Sequence, residues 1–184
     1  EFFHKGNFGK TCIVAGSFGK IGAAVLATKS AMRTGSGITY IRAPKCGYEI
    51  LQTTCPEAMF LNGGEDFVVS FEAETDFTYG IGPGLGTSSE TEEKFIHFLK
   101  NFDQPLVLDA DALNMMSKNK ENLNFIPKKS IITPHPKEFE RLFGATNNSF
   151  ERLNLAIEKS KELTIYIVLK DHFTQIVTPE GFVY

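Results

Sequence analysis

Residues 11–43 read TCIVAGSFGKIGAAVLATKSAMRTGSGITYIRA, and their pattern indicates the fold class. Its first six residues are a short apolar run that ends in glycine, which predicts a buried strand. The Ala-, Leu- and Met-rich residues 23–34 have helical spacing, and Gly35 follows where a helix commonly stops. Residues 38–43 predict a second strand, closed by Pro44. A strand, a helix and a strand in this order predict a βαβ unit, in which the two strands lie parallel with a right-handed crossover.

Strand and helix patterns alternate through the rest of the chain. Apolar segments predict further strands at 77–81, 105–108, 130–133 and 165–169. Amphipathic segments predict helices at 88–102, from about 111, at 137–143 and at 150–163. Residues 175–178 and 182–184 flank a Pro-Glu-Gly turn, which is typical of a hairpin. The sequence therefore predicts a single α/β domain over residues 1–184, with a mainly parallel sheet between helix layers.

Length and composition fit one globular domain. The 184 residues are 42% apolar and 22% charged, which is ordinary for a chain that buries a sizeable core. The net charge is −3 and no stripe of Lys or Arg could neutralise a phosphate backbone, so no nucleic-acid partner is expected. No stretch approaches the roughly 20 apolar residues that span a bilayer, so no membrane is expected either. Three cysteines without a CxxC pair predict reduced thiols and a cytoplasmic protein.

Five predicted strands end in a glycine-rich or polar segment. These segments are residues 16–20, 82–86, 109–114, 133–138 and Lys170. Ligands of an open parallel sheet bind beyond the carboxyl ends of its strands. We therefore expect the five segments to meet along one edge of the sheet and to form a single crevice.

The glycine-rich and acidic segments each allow two interpretations. The GPGLG sequence at 82–86 could let the backbone approach an anion at a helix N-terminus, or could serve a tight turn alone. Asp109 and Asp111 could bind a ribose or a magnesium-linked water, or act as a base, whereas Asp111 could equally be an N-cap. Asn114 lies one turn beyond Asp111 on the same helix face, which fits a paired binding role.

The remaining candidates are a histidine, a glutamate and a lysine. His135 lies between two prolines that restrict its loop, and it either contacts a ligand or is simply solvated. Glu138 either contacts the same ligand or places charge at the first turn of a helix. Lys170, with Thr174 four residues on, could reach a phosphate or could be a surface cation at a turn.

An ordered series of motifs covers almost the whole chain. The motifs are HKGNFGK at 4–10, AGSFGKIGAA at 15–24, MRTGSG at 32–37, PEAM at 56–59, GPGLG at 82–86, DADALN at 109–114, TPHPKEF at 133–139 and LK at 169–170. Each motif is weak alone, but their order is specific. In this order the chain resembles the ADP/ATP-dependent NAD(P)H-hydrate dehydratases.

The resemblance implies a ribokinase-like fold of three layers, α/β/α, and the repair of a damaged nicotinamide cofactor. ADP or ATP, with Mg²⁺, would phosphorylate the hydroxyl of hydrated NADH or NADPH (NAD(P)HX), and loss of phosphate would restore the ring. Carried over by position, the substrate would be bound by Ala23, Gly84 and His135. The nucleotide would be bound by Asn114, Lys170, Asp171, His172, Phe173 and Thr174. No metal site formed by the protein alone is expected.

The chain departs from the family pattern in three places. The usual HPGE reads HPKE at 135–138, which adds a cation near the site. The glycine often found after the strand-end lysine is Asp171, which adds a negative charge beside the nucleotide. The family's GTGD-like segment, with its catalytic aspartate, has no counterpart and is expected beyond Tyr184. We therefore expect a domain truncated at its C-terminus, cut from a longer chain and inactive alone.

Two other functions remain open from the sequence. One is a small-molecule kinase of the same fold, and the other is a nucleotide-binding module without catalysis. The resemblance also implies a homo-oligomer and an epimerase domain that acts as a fused or separate partner.

Overall fold

The computed structural model describes residues 8–74 and 76–184. Its strands are β1 (Lys10–Val14), β2 (Ile38–Ala43), β3 (Met59–Asn62), β4 (Phe77–Ile81), β5 (Val107–Leu108), β6 (Ile131–Ile132), β7 (Tyr166–Leu169) and β8 (Gln175–Val177). Its helices are α1 (Ile21–Arg33), α2 (Tyr48–Thr54), α3 (Ser89–Lys100), α4 (Asp111–Ser117), α5 (Pro136–Phe143) and α6 (Ser149–Leu163). Short 3-10 helices cover Lys45–Gly47 and Lys120–Phe125.

The strands form one sheet in the order β3-β2-β1-β4-β5-β6-β7-β8. Every neighbouring pair from β3 to β7 is parallel, and β8 runs antiparallel to β7. The predicted βαβ unit is confirmed, because β1 and β2 pair in parallel with Lys10 opposite Ile38. The predicted hairpin is also present, since Ile176 and Tyr184 exchange backbone hydrogen bonds of 2.9 and 3.0 Å.

Helices cover both faces of the sheet, and alternate residues of β1 point to the two sides. Cys12 and Val14 belong to a large core that includes buried residues of α3, α4, α5 and α6. Ile13 belongs to a smaller core that includes Ile21 of α1 and Leu51 of α2. The sheet is therefore the middle of three layers, as predicted for a ribokinase-like α/β/α fold.

Two kinds of element differ from the sequence prediction. The edge strand β3 and the helix α2 were not predicted, because both are short and β3 shows no alternation of buried and exposed residues. The strands β5 (Val107–Leu108) and β6 (Ile131–Ile132) are shorter than the predicted 105–108 and 130–133. Pro105 has no backbone N–H, and the N–H of Leu106 donates to the Ser130 hydroxyl at 3.2 Å, so the ladder begins at Val107.

Candidate functional site

The five predicted segments follow β1, β4, β5, β6 and β7, which are adjacent strands of the sheet. The strand order reverses between β1 and β4, since β2 and β3 lie on one side of β1 and β4 lies on the other. In open parallel sheets this reversal is where the loops diverge and leave a crevice. The sequence prediction of one common edge is therefore confirmed at the level of the strands.

The loops after β1 and β4 are joined across that reversal. The N–H of Gly16 donates to the carbonyl of Pro83 at 2.9 Å, and the Ser17 hydroxyl donates to the carbonyl of Gly84 at 2.8 Å. Gly84 has a φ of +68°, and a Cβ atom built on it would lie 2.9 Å from the Cβ of Ala23. Ala23 and Gly84, two predicted substrate-binding residues, are therefore packed against each other.

Asp111 links the same loops to α4. Its Oδ2 accepts a hydrogen bond from the N–H of Gly86 at 2.8 Å, and it lies 3.4 Å from the Nζ of Lys20. The N-cap interpretation of Asp111 is wrong, because the N-cap residue is Ala110 and no side chain caps this helix. Ala110 adopts φ 50° and ψ −118°, a strained backbone for a residue with a Cβ. This turn aims the Asp111 carboxylate across to the neighbouring loops.

Asn114 lies beside Asp111, as the spacing of three residues predicted. Its Nδ2 donates to Oδ1 of Asp111 at 3.3 Å, and its Oδ1 accepts a hydrogen bond from Arg141 at 2.8 Å. Arg141 belongs to α5, the helix that follows β6. The carboxamide of Asn114 therefore bridges α4 and α5.

Lys170, at the end of β7, is paired with Asp109 at the end of β5. Its Nζ lies 2.6 Å from Oδ1 of Asp109, and both side chains are partly exposed. The backbone N–H of Lys170 donates to the carbonyl of Pro134 at 3.0 Å, which joins the ends of β7 and β6. A phosphate that binds Lys170 therefore competes with a carboxylate that already holds this ammonium.

His135 is the N-cap residue of α5. Its Nδ1 accepts hydrogen bonds from the N–H groups of Lys137 and Glu138, and its own N–H donates to Oε2 of Glu138 at 2.9 Å. This reciprocal pair is a capping box. Because Nδ1 accepts, the proton of a neutral imidazole lies on Nε2, and the side chain is 44% exposed. Glu138 is buried and engaged in this cap, whereas the exposed part of His135 can still meet a ligand.

The predicted nucleotide segment is the connection from β7 to β8. The carboxylate of Asp171 pairs with Arg152 of α6 at 2.5 Å, and it also accepts the N–H of His172 at 2.8 Å. The rings of His172 and Phe173 meet edge to face at 4.7 Å, and Thr174 beside them is exposed. These exposed residues follow Lys170 directly in the chain, after β7, and β5 and β6 lie between that strand and β4.

Three residues of the crevice were not predicted as site residues. Ser17 and Lys20 lay within a predicted segment, but their partners are 67 and 91 residues away in the chain. The sequence indicates Arg141 as a site residue only weakly, because its one clue is a position one turn beyond Glu138 on α5. The contact of Arg141 with Asn114 depends on how α4 packs on α5, which no local pattern encodes.

A cavity of about 730 Å³ lies at the opposite edge of the sheet, between the end of α1 and the starts of β2 and β3. Its lining includes Met32, Arg33, Thr39 and Met59, and none of the predicted site residues. His4 and the other residues of the HKGN motif at 4–7 lie outside the described residues. In the part of the chain that is described, no helix is both long and apolar enough to cross a membrane.

The sheet order and the five joined loops define a ribokinase-like α/β protein. A solved structure described as a ribokinase-like superfamily protein from Enterococcus faecalis aligns with 98% of this chain at a TM-score of 0.79 and 24% identity, which shows the shared fold. The family described as NAD(P)H-hydrate dehydratase matches residues 11–184. The chain therefore belongs to the NAD(P)H-hydrate dehydratase family.

Individual relatives agree with this assignment. An ADP-dependent (S)-NAD(P)H-hydrate dehydratase of Staphylococcus aureus is 33% identical over 96% of this chain, and one of Neisseria meningitidis is 35% identical over 100%. The chain spans 63% of the length of either relative. The ADP/ATP-dependent NAD(P)H-hydrate dehydratase of Bacillus subtilis, co-crystallised with ATP/Mg²⁺, aligns at a TM-score of 0.82 and 32% identity, covering 99% of this chain and 65% of that one.

Proposed function

We propose that this protein takes part in the nucleotide-dependent dehydration of hydrated NADH and NADPH back to the reduced cofactors. The observation that carries the proposal is the continuous contact between the loops after β1, β4 and β5 and α5, in a chain whose family match covers residues 11–184. Relatives named as ADP-dependent dehydratases of NAD(P)H hydrate support the same reaction.

The chemistry needs a better leaving group than hydroxide. The terminal phosphoryl group of ADP or ATP is transferred to the hydroxyl of the hydrated ring: an O–P bond to the ring oxygen forms, and the O–P bond to the leaving AMP or ADP breaks. The hydroxyl proton passes to water or to a base. The ring nitrogen then contributes its electron pair as the C–O bond breaks, and phosphate leaves with those bonding electrons. Loss of a proton from the adjacent ring carbon completes the double bond. Such a transfer depends on positioning and charge neutralisation more than on covalent help from the protein.

The substrate end of the crevice is assigned to Ala23, Gly84 and His135. At Gly84 the backbone is close to Ala23 and Lys20, so a side chain there would fill the space between the two loops. The partly exposed imidazole of His135 can contact the substrate, and its Nε2 already lies 3.4 Å from Oε1 of the buried Glu138.

The nucleotide end is assigned to Asn114 and to the segment that begins at Lys170. The negative charge of Asp171 is offset by the Arg152 guanidinium at 2.5 Å, which reduces its repulsion of a phosphate. Lys170 exchanges Asp109 for a phosphate oxygen when the nucleotide binds. The exposed Phe173 ring offers an apolar surface for a base.

A magnesium ion fits this site when the nucleotide brings it. No cluster of three or more His, Cys, Asp or Glu side chains able to hold a metal is found within residues 8–74 and 76–184. Mg²⁺ is commonly bound by one or two carboxylates together with substrate phosphates, and Asp109 and Asp111 would supply those carboxylates or contact its waters. When bound, the ion neutralises charge on the transferred phosphate.

The remaining assignments concern the setting of the reaction. A protein of Thermofilum pendens that is 30% identical over 98% of this chain is named a bifunctional NAD(P)H-hydrate repair enzyme, and the chain spans 37% of it. We accordingly propose an epimerase, fused or separate, as the functional partner. We also propose a cytoplasmic location, which the unpaired cysteines favour, and a homo-oligomer, which the family resemblance implies.

The test incubates the full-length natural protein with hydrated NADH, Mg²⁺ and ADP or ATP, and follows the absorbance of the reduced ring. We expect recovery that requires the nucleotide, that is lost in Asn114→Ala, and that is retained in Arg33→Gln at the far edge of the sheet. A stable phosphate ester without ring recovery would show a small-molecule kinase instead. Binding of ADP without turnover would show a nucleotide-binding module, and either result would overturn the proposal.

A further inference from the structure

Arg141 lies on α5, and its side chain contacts Asn114 of α4. Its NH1 donates to Oδ1 of Asn114 at 2.8 Å. No Asp or Glu oxygen lies within ion-pair distance of this guanidinium among the residues that the structure describes. The hydrogen bond to Asn114 is therefore a specific contact of an otherwise uncompensated cation.

We infer that Arg141 is a positioning residue that fixes the orientation of the Asn114 carboxamide for an anionic ligand. The inference rests on the proposed function in placing Asn114 near the nucleotide phosphates. It adds a residue for which the proposed function gives no role.

The partners of Asn114 leave one orientation for its amide. Arginine is a donor without acceptor capacity, so its partner must be the carboxamide oxygen. An ionised carboxylate is an acceptor without donor capacity, so Asp111 at 3.3 Å must face the carboxamide nitrogen. A flipped amide would bring the oxygen to the Asp111 carboxylate and the N–H donors to Arg141, and both contacts would be repulsive.

This orientation suits a phosphate. Arg141 holds the carboxamide oxygen of Asn114, which would otherwise repel an anion, and one N–H of the amide remains free after the bond to Asp111. The carboxylate of Asp111 is itself held by the N–H of Gly86 at 2.8 Å, so the row of contacts runs from α5 to the loop after β4. The amide is thereby set in place before the ligand arrives.

The far end of α5 is also fixed. The Nζ of Lys120 donates to the carbonyl oxygens of Arg141 and Leu142, the latter at 2.6 Å, and burial lowers the pKa of Lys120. These bonds satisfy carbonyl groups in the last turn of the helix. The backbone of Arg141 is therefore held at the position from which its side chain reaches Asn114.

The alternative is that Arg141 contacts the phosphates directly, and a double-mutant cycle separates the two roles. The variants are Arg141→Met, Arg141→Lys, Asn114→Ala and the double variant Arg141→Met with Asn114→Ala. The readouts are the dissociation constant for ADP by calorimetry and the separate kcat and KM of the full-length protein. Arg33→Met is the matched control, because it removes the same charge at the far edge of the sheet.

We expect Arg141→Met to weaken ADP binding by about fivefold to tenfold, which lies within the range of one ordinary net hydrogen bond. Arg141→Lys, which still offers a donor, should restore most of that loss, and Arg33→Met should leave binding unchanged. In the Asn114→Ala background, Arg141→Met should change ADP binding by less than about twofold. An equal loss in both backgrounds would show a direct contact with the ligand and overturn the inference.

A second measurement does not depend on ligand or activity. In the NMR spectrum of the free protein, the Nδ2 proton of Asn114 that is bonded to Asp111 should exchange slowly with water, and Arg141→Met should speed that exchange. Unchanged exchange with an unchanged melting temperature would show that Arg141 does not hold the amide. This result stays informative if the dehydratase reaction itself is absent, so failure of the inference and failure of the proposed function are distinguishable.

Discussion

At the scale of single residues, Gly82, directly after β4, is the glycine of the site at which an added Cβ would meet the backbone most closely. A Cβ atom built on Gly82 would lie 1.7 Å from the carbonyl oxygen of Asp109, and its φ of +138° is unfavourable for other residues. Asp109 in turn donates its N–H to Ile81 at 3.0 Å. The ends of β4 and β5 can therefore approach this closely only because residue 82 has no side chain.

We predict that Gly82→Ala lowers the free energy of unfolding by at least about 3 kcal/mol, because backbone rather than a flexible side chain must move. Gly35→Ala is the matched control, since Gly35 has a φ of +101° but no atom within 4 Å of the added Cβ. It should lose about 1 kcal/mol from the unfavourable φ alone. Urea unfolding of both variants measures the difference, and equal losses would contradict the steric explanation.

Residue positions were predictable where the contact is local. The pairing of Asn114 with Asp111 followed from their spacing on one helix and is confirmed at 3.3 Å. The interpretation of Asp111 as an N-cap was wrong because the helix start depends on the backbone angles of Ala110. No pattern in the sequence predicts the positive φ of that residue. The Arg141 contact was missed for a related reason, since it depends on the packing of two helices.

At the scale of elements, the contact between α1 and β2 contains two buried hydroxyl groups without partners. Thr28 of α1 is 0% exposed and Thr39 of β2 is 4% exposed. Neither hydroxyl has a hydrogen-bond partner in the described part of the chain. A buried hydroxyl without a partner has lost its hydration and gained nothing in return.

We predict that Thr28→Val stabilises the protein by about 1 kcal/mol, which corresponds to a rise of about 2–4 °C in melting temperature. Thr91→Val is the control of opposite sign, because Thr91 is equally buried but its hydroxyl bonds to Ser88 at 2.8 Å. Thermal unfolding of the two variants should give shifts in opposite directions. Destabilisation by Thr28→Val would mean that its hydroxyl is satisfied in solution.

Elements with a clear period were predicted well, and elements defined by their neighbours were not. β2 and β4 have the predicted bounds, because both are apolar runs between turn residues. β3 pairs through backbone groups with β2, and its MFLN sequence has no alternation that would show the pairing. Burial patterns of such edge strands depend on what packs beside them.

At the scale of the whole molecule, the two cores each enclose a cysteine. Cys12 lies in the core beneath α3 to α6 and Cys55 in the core beneath α1 and α2, both at 0% exposure, while Cys46 is exposed. Burial raises the pKa of the Cys12 thiol to about 11. Cys46 is less enclosed than Cys12, but partial burial raises the pKa of its thiol as well.

We predict that iodoacetamide labels one thiol of the native protein, Cys46, and all three thiols after unfolding in urea. Because the pKa of Cys46 is raised, its thiolate fraction at neutral pH is below that of a free cysteine, and labelling should accelerate as pH rises. Mass spectrometry of peptides against time measures each site. Labelling of Cys12 or Cys55 at the rate of Cys46 would contradict the two-core packing.

The overall architecture was largely predictable, since alternating strand and helix patterns imply a parallel sheet and therefore a common edge for the loops. The position of the reversal between β1 and β4 was not predictable, because it depends on which side of β1 the chain adds its next strand. Roles of individual site residues stay predictions until ligand binding is measured.

The seam between β1 and β4 has a consequence for how the protein folds. Ser17 and Gly84, which meet across it, are separated by 67 residues, so their contact requires closing a long loop and is expected late in folding. A folding chain can form the β1–α1–β2 unit before β4 pairs with β1, and at that stage the crevice between their loops has not formed. The substrate, which is assigned to Ala23 and Gly84 at this contact, would therefore bind only after β4 has paired with β1, and bound substrate would stabilise that pairing against unfolding.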